Sequence, residues 1–431
     1  MNARDLDEAI RFLRRVTPLA RTLVHPDNDA TLRILRESLP AVKIERYPSG
    51  KPVWTWRIPN QWQLVEARIE DAATGRLLWD GTSHPLATVN YSLPFQGELS
   101  AAALAPHLHS SATRPHAIPF VFRFYNRDWG FCMPAATRRR ILRKRRLRVR
   151  IATDERPGKL AVGALALPGE SDREFVICTN ICHPGIANDS ISGAAAAIAI
   201  ARHLMRRKRR RHSYRILWLP ETIGSVAYYA HHEALAARAA GAMFLEMLGN
   251  GNSICLQHTR RGDTYWDLVA YATLAESGIP FREAAFLESA ANDEKVMDAP
   301  GVGIPTLSMT RYPYPEYHTS DDNAGLIDRA RMREAIDLAC RLLDRVEDDY
   351  VPEYVARGPV CLSEHGLYPD WYRDPSQKPN WDGFVKVMYA LDRGRSVEQL
   401  AGELGLKADV VRYWCDAFAK KGFLEKRPLR W

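Results

Sequence analysis

From residue 160 onward the chain alternates short apolar runs with helical stretches, and this rhythm constrains its fold more than any other feature. The runs are KLAVGALALPG, EFVICTN, YRILWLP, GAMFLEM and IPTLSMT, and an alanine-rich helix expected over 192–208 separates two of them. Runs this short, without polar alternation, are strands buried on both faces. Helices between them are crossovers, which implies a mostly parallel sheet flanked by helices, an α/β class. In such sheets ligands bind beyond the carboxyl ends of the strands, so chemistry is sought where the runs end.

The rest of the chain has different textures. Residues 4–24 and 29–38 have the spacing of amphipathic helices. From Tyr47, PVWTWRIPNQWQLVEARIEDAATGRLLWDG alternates apolar and polar residues around turn signals, the pattern of β-hairpins. From about Lys378 the order is helix, Ser396 as N-cap, short helix, turn at Gly405, helix, short strand, which is the order of a winged helix-turn-helix. The Pro-rich YPDWYRDPSQKPNWDG precedes it as a linker. A length of 431 residues exceeds one ordinary core. Three domains are therefore expected: 1–45 with 115–365 as the α/β domain, 46–114 as an inserted β-rich domain, and 375–431 as the winged helix-turn-helix.

Composition excludes several classes. No apolar run approaches the ~18 residues of a membrane span, and MNARDLDEAIRFLRRV mixes charge signs as no secretory signal does. A cytoplasmic protein with no membrane partner is the expectation. The seven cysteines are scattered without a C-x-x-C, against a disulfide framework or a cysteine-cage zinc site. The net charge of +9 is local: nine basic residues lie in 138–150 and six in 206–211, and without them the chain is acidic. Solvated helix ends and edges account for such runs, with an anionic-partner surface as the competing reading. In the second helix of the C-terminal segment, Arg412, Lys420 and Lys421 are interrupted by Asp409 and Asp416. A DNA reader presents a cleaner basic face, so DNA binding there is open but not favoured over a protein contact or a lid.

The strand ends deliver a consistent set. EFVICTNICHPGIAND gives His183 and Asp189, YRILWLPETIG gives Glu221, GAMFLEMLG gives Glu246, and RYPYPEYHTSDDN gives His318. A single buried histidine is more often a satisfied core residue, and Asp189 alone reads as a helix cap. Five ionisable groups at successive strand ends are harder to explain by packing, because buried charges need partners. Imidazole and carboxylate together suit zinc, which keeps an open position when catalytic. Pro184 keeps His183 extended, and the helix dipole favours the anionic form of Asp189.

NDSISGAAAAIAIA, PETIGS, FLEMLG, GIPTLSM and YHTSDDN, in this order and spacing, resemble the zinc aminopeptidases with co-catalytic metals, a zinc-exopeptidase-like fold. RDWGFC at 127–132, together with ICHPGIANDSISG, resembles a bacterial subgroup carrying an inserted β-rich domain and an appended winged helix-turn-helix. The resemblance implies that Asp189 is the central carboxylate ligand, its peptide to Ser190 cis. His183 and Glu246 then complete one metal position, and His318 belongs to the other. Glu221 matches the general base acting on metal-activated water, and Asp322 is implied to support His318. Asp293 and Glu294 fall where similar enzymes place an acidic pair near the substrate, and a solvated turn explains them equally well. Tyr312, Tyr314 and Tyr317 crowd His318, as oxyanion donors or as packing under the loop.

Two positions depart from the pattern. Gly185 replaces the carboxylate that orients the first histidine, and Thr222 replaces a second glutamate that binds metal. One zinc ion is therefore as consistent as two, and Glu221 could bind metal rather than act as base. The expected function is zinc-dependent hydrolysis of an amide bond, by an aminopeptidase acting on a small peptide or peptide-like substrate. An amidase or deacylase of a small biosynthetic intermediate is the first alternative. A DNA-binding regulator with a peptidase-like sensor domain is the second. Homo-oligomers are compatible with all three.

Overall fold

The computed structural model describes residues 2–429. Its largest sheet has eight strands: β1 (Lys43–Pro48), β2 (Lys159–Leu167), β3 (Glu174–Asn180), β4 (Ser213–Leu219), β5 (Ala239–Leu245), β6 (Ile254–Gln257), β7 (Phe281–Ala284) and β8 (Thr306–Thr310). The spatial order is β1-β2-β4-β3-β5-β8-β6-β7. The four neighbours β4, β3, β5 and β8 run parallel, while β1, β2 and the β8–β6 pairing are antiparallel. All seven residues of β3 are buried, as a central parallel strand requires. Its neighbours β4 and β5 end beside it, so their following loops converge at one edge.

Helix α1 (Ala3–Val16) packs on the helix Gly193–Arg206, and helix α2 (Pro26–Ser38) packs on β2. The helix expected over 4–24 stops at Val16, because Pro18 lacks an N–H and clashes with the preceding turn. Residues 17–25 run instead as a loop that carries the buried Arg21. Helix α3 (Gly193–Arg206), close to the expected 192–208, buries its alanine and isoleucine face completely. A side chain at Gly193 would place Cβ 1.9 Å from the Leu245 carbonyl oxygen, so only glycine lets α3 lie against the end of β5.

A four-stranded antiparallel sheet forms from Leu77–Asp80, Gln61–Asp71, Arg146–Arg156 and Phe95–Ser100, in that order. Arg146–Arg156, which the sequence reading gave to the α/β domain, thus pairs with strands of the 46–114 segment. This sheet also explains the basic run. Arg148 meets Glu98 at 3.1 Å, Arg150 meets Glu66 at 2.8 Å, and Arg146 reaches Glu98 at 3.6 Å. These three arginines of the run are one half of a cross-strand ion-pair ladder. In the second basic run, Arg206 pairs with Asp5 and Arg209 with Glu170.

The chain divides into two compact units, one up to Gly262 together with Ile279–Cys340, the other Asp263–Gly278 together with residues from Arg341 onward. The second unit contains the helices Tyr265–Ser277, Lys378–Met388, Val397–Leu404 and Ala408–Lys420, and an antiparallel ladder between Val351–Tyr354 and Leu424–Arg427. Ser396 and Gln399 form a reciprocal capping box at the start of Val397–Leu404, and Gly405 ends that same helix at φ +63°. Val387, Leu400, Val411, Trp414 and Phe418 share its core. Among the described residues, no helix is long and apolar enough to cross a membrane.

Gly193→Ala is expected to lower stability by about 1–3 kcal/mol through overpacking, read as an earlier urea midpoint. Gly251→Ala, whose Cβ meets nothing within 4 Å, should leave the midpoint in place. An unchanged midpoint for Gly193→Ala would contradict the close approach of α3 to β5.

Candidate metal centre

His183 lies in the loop after β3, and Asp189 lies in the irregular turn Asn188–Ser192 that leads into α3. Asp189 Oδ2 stands 3.8 Å from His183 Nε2 and 3.1 Å from His318 Nε2. One donor atom from each of the three residues falls within a mutual 4.8 Å. These separations bracket the ~3.3 Å expected between ligand atoms about 2.05 Å from a tetrahedral zinc ion. Asp189 Oδ2 is buried yet receives no aligned hydrogen bond. A buried carboxylate oxygen that faces two imidazole nitrogens is a donor set that suits a cation. Burial alone would raise the Asp189 carboxyl, but the two facing imidazoles hold it below the ordinary range.

Glu221 follows β4, with helix α4 (Ile223–His231) starting just beyond it. Its Oε2 is 3.7 Å from His183 Nε2, and its Oε1 is 3.8 Å from Lys295 Nζ. Glu221 and His318 keep about a quarter of their side-chain surface exposed, while His183 and Asp189 are enclosed. The group therefore has one closed wall and one face open to a substrate.

Glu246, immediately after β5, is fully buried and lies outside the mutual 4.8 Å grouping. Asn292 donates to its Oε2, and its Oε1 has no partner. Burial, together with Asp189, Glu294 and Glu221, pushes its carboxyl well above the usual range. So many carboxylates around one enclosed point fit a cation far better than bare anions. Where zinc is concerned, His183, Asp189 and His318 would hold it, with Glu221 or Glu246 beside the remaining position.

Neighbouring groups fix these side chains in place. The Asp189–Ser190 peptide is cis. Asp322 accepts from Asn188 N at 2.6 Å, Asp189 N at 3.1 Å and the Tyr314 hydroxyl at 2.5 Å. Its carboxylate thus braces the Asp189 turn, a correction to the expected support of His318. Burial pushes Asp322 up to about 7. His318 has φ +54°, Tyr317 stacks on its ring at 3.9 Å, and Tyr312 meets Tyr317 edge-on at 5.0 Å. Asn188 ties the third loop in, because its carbonyl accepts from Met247 N and its Oδ1 from Gly249 N.

Asp293 and Glu294 are brought near the site but do not open onto it. Asp293 accepts from Thr222 N at 3.0 Å and from the Ser225 hydroxyl, which caps α4. Glu294 accepts from Gln257 Nε2 at 2.8 Å. Both are fully buried, and burial pushes each up to about 7. The solvated turn considered for this pair is excluded.

Four contributors have no sequence signal strong enough to find them. Arg21 is completely buried and donates to the His183 carbonyl at 2.6 and 3.2 Å and to the Ile186 carbonyl at 3.0 Å. Cys182 Sγ accepts from Glu221 N at 3.1 Å and lies 3.9 Å from His183 Nδ1. It flanks the nitrogen that an orienting carboxylate would serve. At Gly185, φ is +65° and a Cβ would press on His84 and Pro85 at 3.1 and 3.3 Å, so the missing carboxylate has no space there. Phe120 meets both imidazoles edge-on at 5.3 and 5.2 Å, and its N–H donates to the His318 carbonyl. Lys295 follows Glu294 in the chain, and only the fold brings its charge to Glu221.

Asp322→Asn, which removes an acceptor from the Asp189 turn, should weaken zinc binding about 10–100-fold, measured by competition with a chromogenic chelator. Undiminished affinity would mean that the turn holds its shape without Asp322.

Comparison with known proteins agrees with this architecture. A curated protein of Clostridium acetobutylicum is 25% identical over 427 residues, covering 97% of this chain and 96% of its own; its name joins polysaccharide biosynthesis to an aminopeptidase-like domain. A crystal structure from the same organism, named for a peptidase, matches with a TM-score of 0.85 at 23% identity, over 98% of this chain and 96% of that one. A zinc aminopeptidase from Bacillus subtilis matches at 0.57 and 12% identity, over 79% and 94%. These likenesses show a shared fold. A sequence family described as a domain of unknown function, DUF4910, matches residues 10–349, and the chain belongs to that family.

Proposed function

We propose that the chain is a zinc-dependent hydrolase of amide bonds, an aminopeptidase on small peptides or peptide-like substrates. The observation that carries this reading is the meeting of His183, Asp189 and His318 around one point, with the Glu221 carboxylate 3.7 Å from His183. Zinc at that point supplies Lewis acidity toward a water and a carbonyl oxygen. Glu221 is the base: it takes the proton of the attacking water and returns it to the departing amine. Lys295 Nζ faces that carboxylate at 3.8 Å. Tyr317, stacked on His318, keeps the imidazole aimed inward. One zinc is the favoured count, because Glu246 stands apart from the His183, Asp189 and His318 group, Thr222 offers no carboxylate, and the other candidate group, Cys182, His183 and Glu221, shares His183 with it.

An amidase or deacylase of a small biosynthetic intermediate is the second reading. Two observations favour it: Asp293 and Glu294 are enclosed rather than presented to an α-ammonium group, and the Clostridium relative is named for polysaccharide biosynthesis. We further propose that the C-terminal helices and ladder form a winged helix-turn-helix that contacts protein rather than DNA. Arg412 supports this, because it already donates to the Asp348 carbonyl and lies 3.5 Å from Glu398.

Glu221→Gln is expected to lower kcat about 10²–10⁴-fold with zinc still bound, assayed on aminoacyl anilides and small N-acyl amides. Loss of zinc in that variant would make Glu221 a ligand instead. Chelation should abolish turnover of the wild-type chain and added zinc should restore it; turnover that survives chelation would sink the metal-dependent reading.

A further inference from the structure

A cavity of about 590 Å³ opens beside Glu221, within the range of small-molecule sites. Glu221, His183, Asp189 and His318 do not line it; Thr222, the residue after Glu221, and Lys295, whose ammonium is 3.8 Å from Glu221 Oε1, do. Its outer wall is a hairpin of Pro52–Val53 and Trp56–Arg57, which packs on α4. Trp54 and Trp56 lie in this hairpin and stay 41% and 39% exposed, unusual for indoles. Val226 and Val302 make the inner wall. Glu233 accepts from Trp54 Nε1 at 3.3 Å, which holds that indole in position.

The position of the cavity assigns its occupant. Amide hydrolysis breaks the C–N bond, sends the water oxygen to the acyl carbon, and releases the amine with the proton that Glu221 returns. The general acid must lie within hydrogen-bond reach of the departing nitrogen, so whatever that nitrogen carries lies on the Glu221 side of the site. Lys295 stands at this junction. One of its three protons goes to the Ala291 carbonyl at 2.8 Å and a second faces Glu221, which leaves one for an anion.

We propose that this cavity is the leaving-group pocket and that it takes an amino acid with a bulky apolar or aromatic side chain. The side chain fills the space between the indoles and the valines, and the free carboxylate pairs with Lys295. The substrate class is then an N-acyl or N-aminoacyl derivative of such an amino acid, with its carboxyl end free. This rests on the hydrolase reading above and leaves the acyl side open.

The test is calorimetric binding of L-phenylalanine to the zinc-loaded full chain, beside L-phenylalaninamide, glycine and D-glucosamine. Saturable binding of phenylalanine is expected, with the amide weaker by about 10–100-fold, the worth of one charged hydrogen bond. Trp54→Ala should lose phenylalanine binding, and Lys295→Met should bind phenylalanine and its amide alike, each variant retaining the wild-type thermal midpoint. Ala236→Phe, which fills the cavity from another side, should also lose binding. Equal wild-type affinity for acid and amide, undiminished binding in Trp54→Ala, a preference for glucosamine, or no binding at all would overturn the proposal. Binding is read without turnover. A chain that holds zinc and cleaves amides yet ignores phenylalanine refutes the pocket, whereas one that binds phenylalanine without zinc-dependent cleavage refutes the hydrolase reading.

Discussion

The structure depends on placing Asp189 and Glu246 where neither carboxylate is fully hydrogen-bonded and both are out of water. Asp189 Oδ2 and Glu246 Oε1 are buried without an aligned donor, and Glu294 Oε2 and Asp293 Oδ2 are in the same condition. Such groups destabilise a fold unless something charged answers them. The Lys295 ammonium faces Glu221. The imidazole nitrogens of His183 and His318 stand 3.8 and 3.1 Å from Asp189 Oδ2, a grouping that could hold a metal ion.

The scaffold holds this arrangement from several directions. Arg21 clamps the His183 loop by its carbonyls, Asp322 holds the Asp189 turn by its N–H groups, and Asn188 stitches that turn to the loop after Glu246. Gly193 lets α3 approach β5, which sets Asp189 and Glu246 into one space. Support of this kind keeps ligands in place before a metal arrives, so little reorganisation is required on binding.

Much of this was legible in the sequence because strand ends in a parallel sheet converge. His183 and Asp189 come from the loop after β3, Glu221 from the loop after β4 and His318 from the loop after β8, and one topological rule draws all four residues together. Contacts that are not periodic were illegible. Arg21 lies 162 residues from the His183 carbonyl it clamps, in a loop that the sequence presented as helix. Asp322 reads as a partner of the nearby His318, yet its acceptor atoms turn toward backbone 133 and 134 residues away. Strand Arg146–Arg156 reads as a basic patch because its answering carboxylates, Glu66 and Glu98, sit on separate strands. Trp54 and Trp56 read as hairpin residues, and their exposure beside Glu221 follows only from where α4 lies.

The central claim is that Asp189 joins His183 and His318 around a metal ion, and zinc content tests it most directly. Elemental analysis of the gently purified chain should find about one zinc ion per chain, the number that the His183, Asp189 and His318 set holds. Asp189→Asn, which keeps the shape and removes the charge, should fall to background while its circular dichroism stays native. A wild-type chain free of zinc, or an Asp189→Asn chain that retains it, would contradict the account.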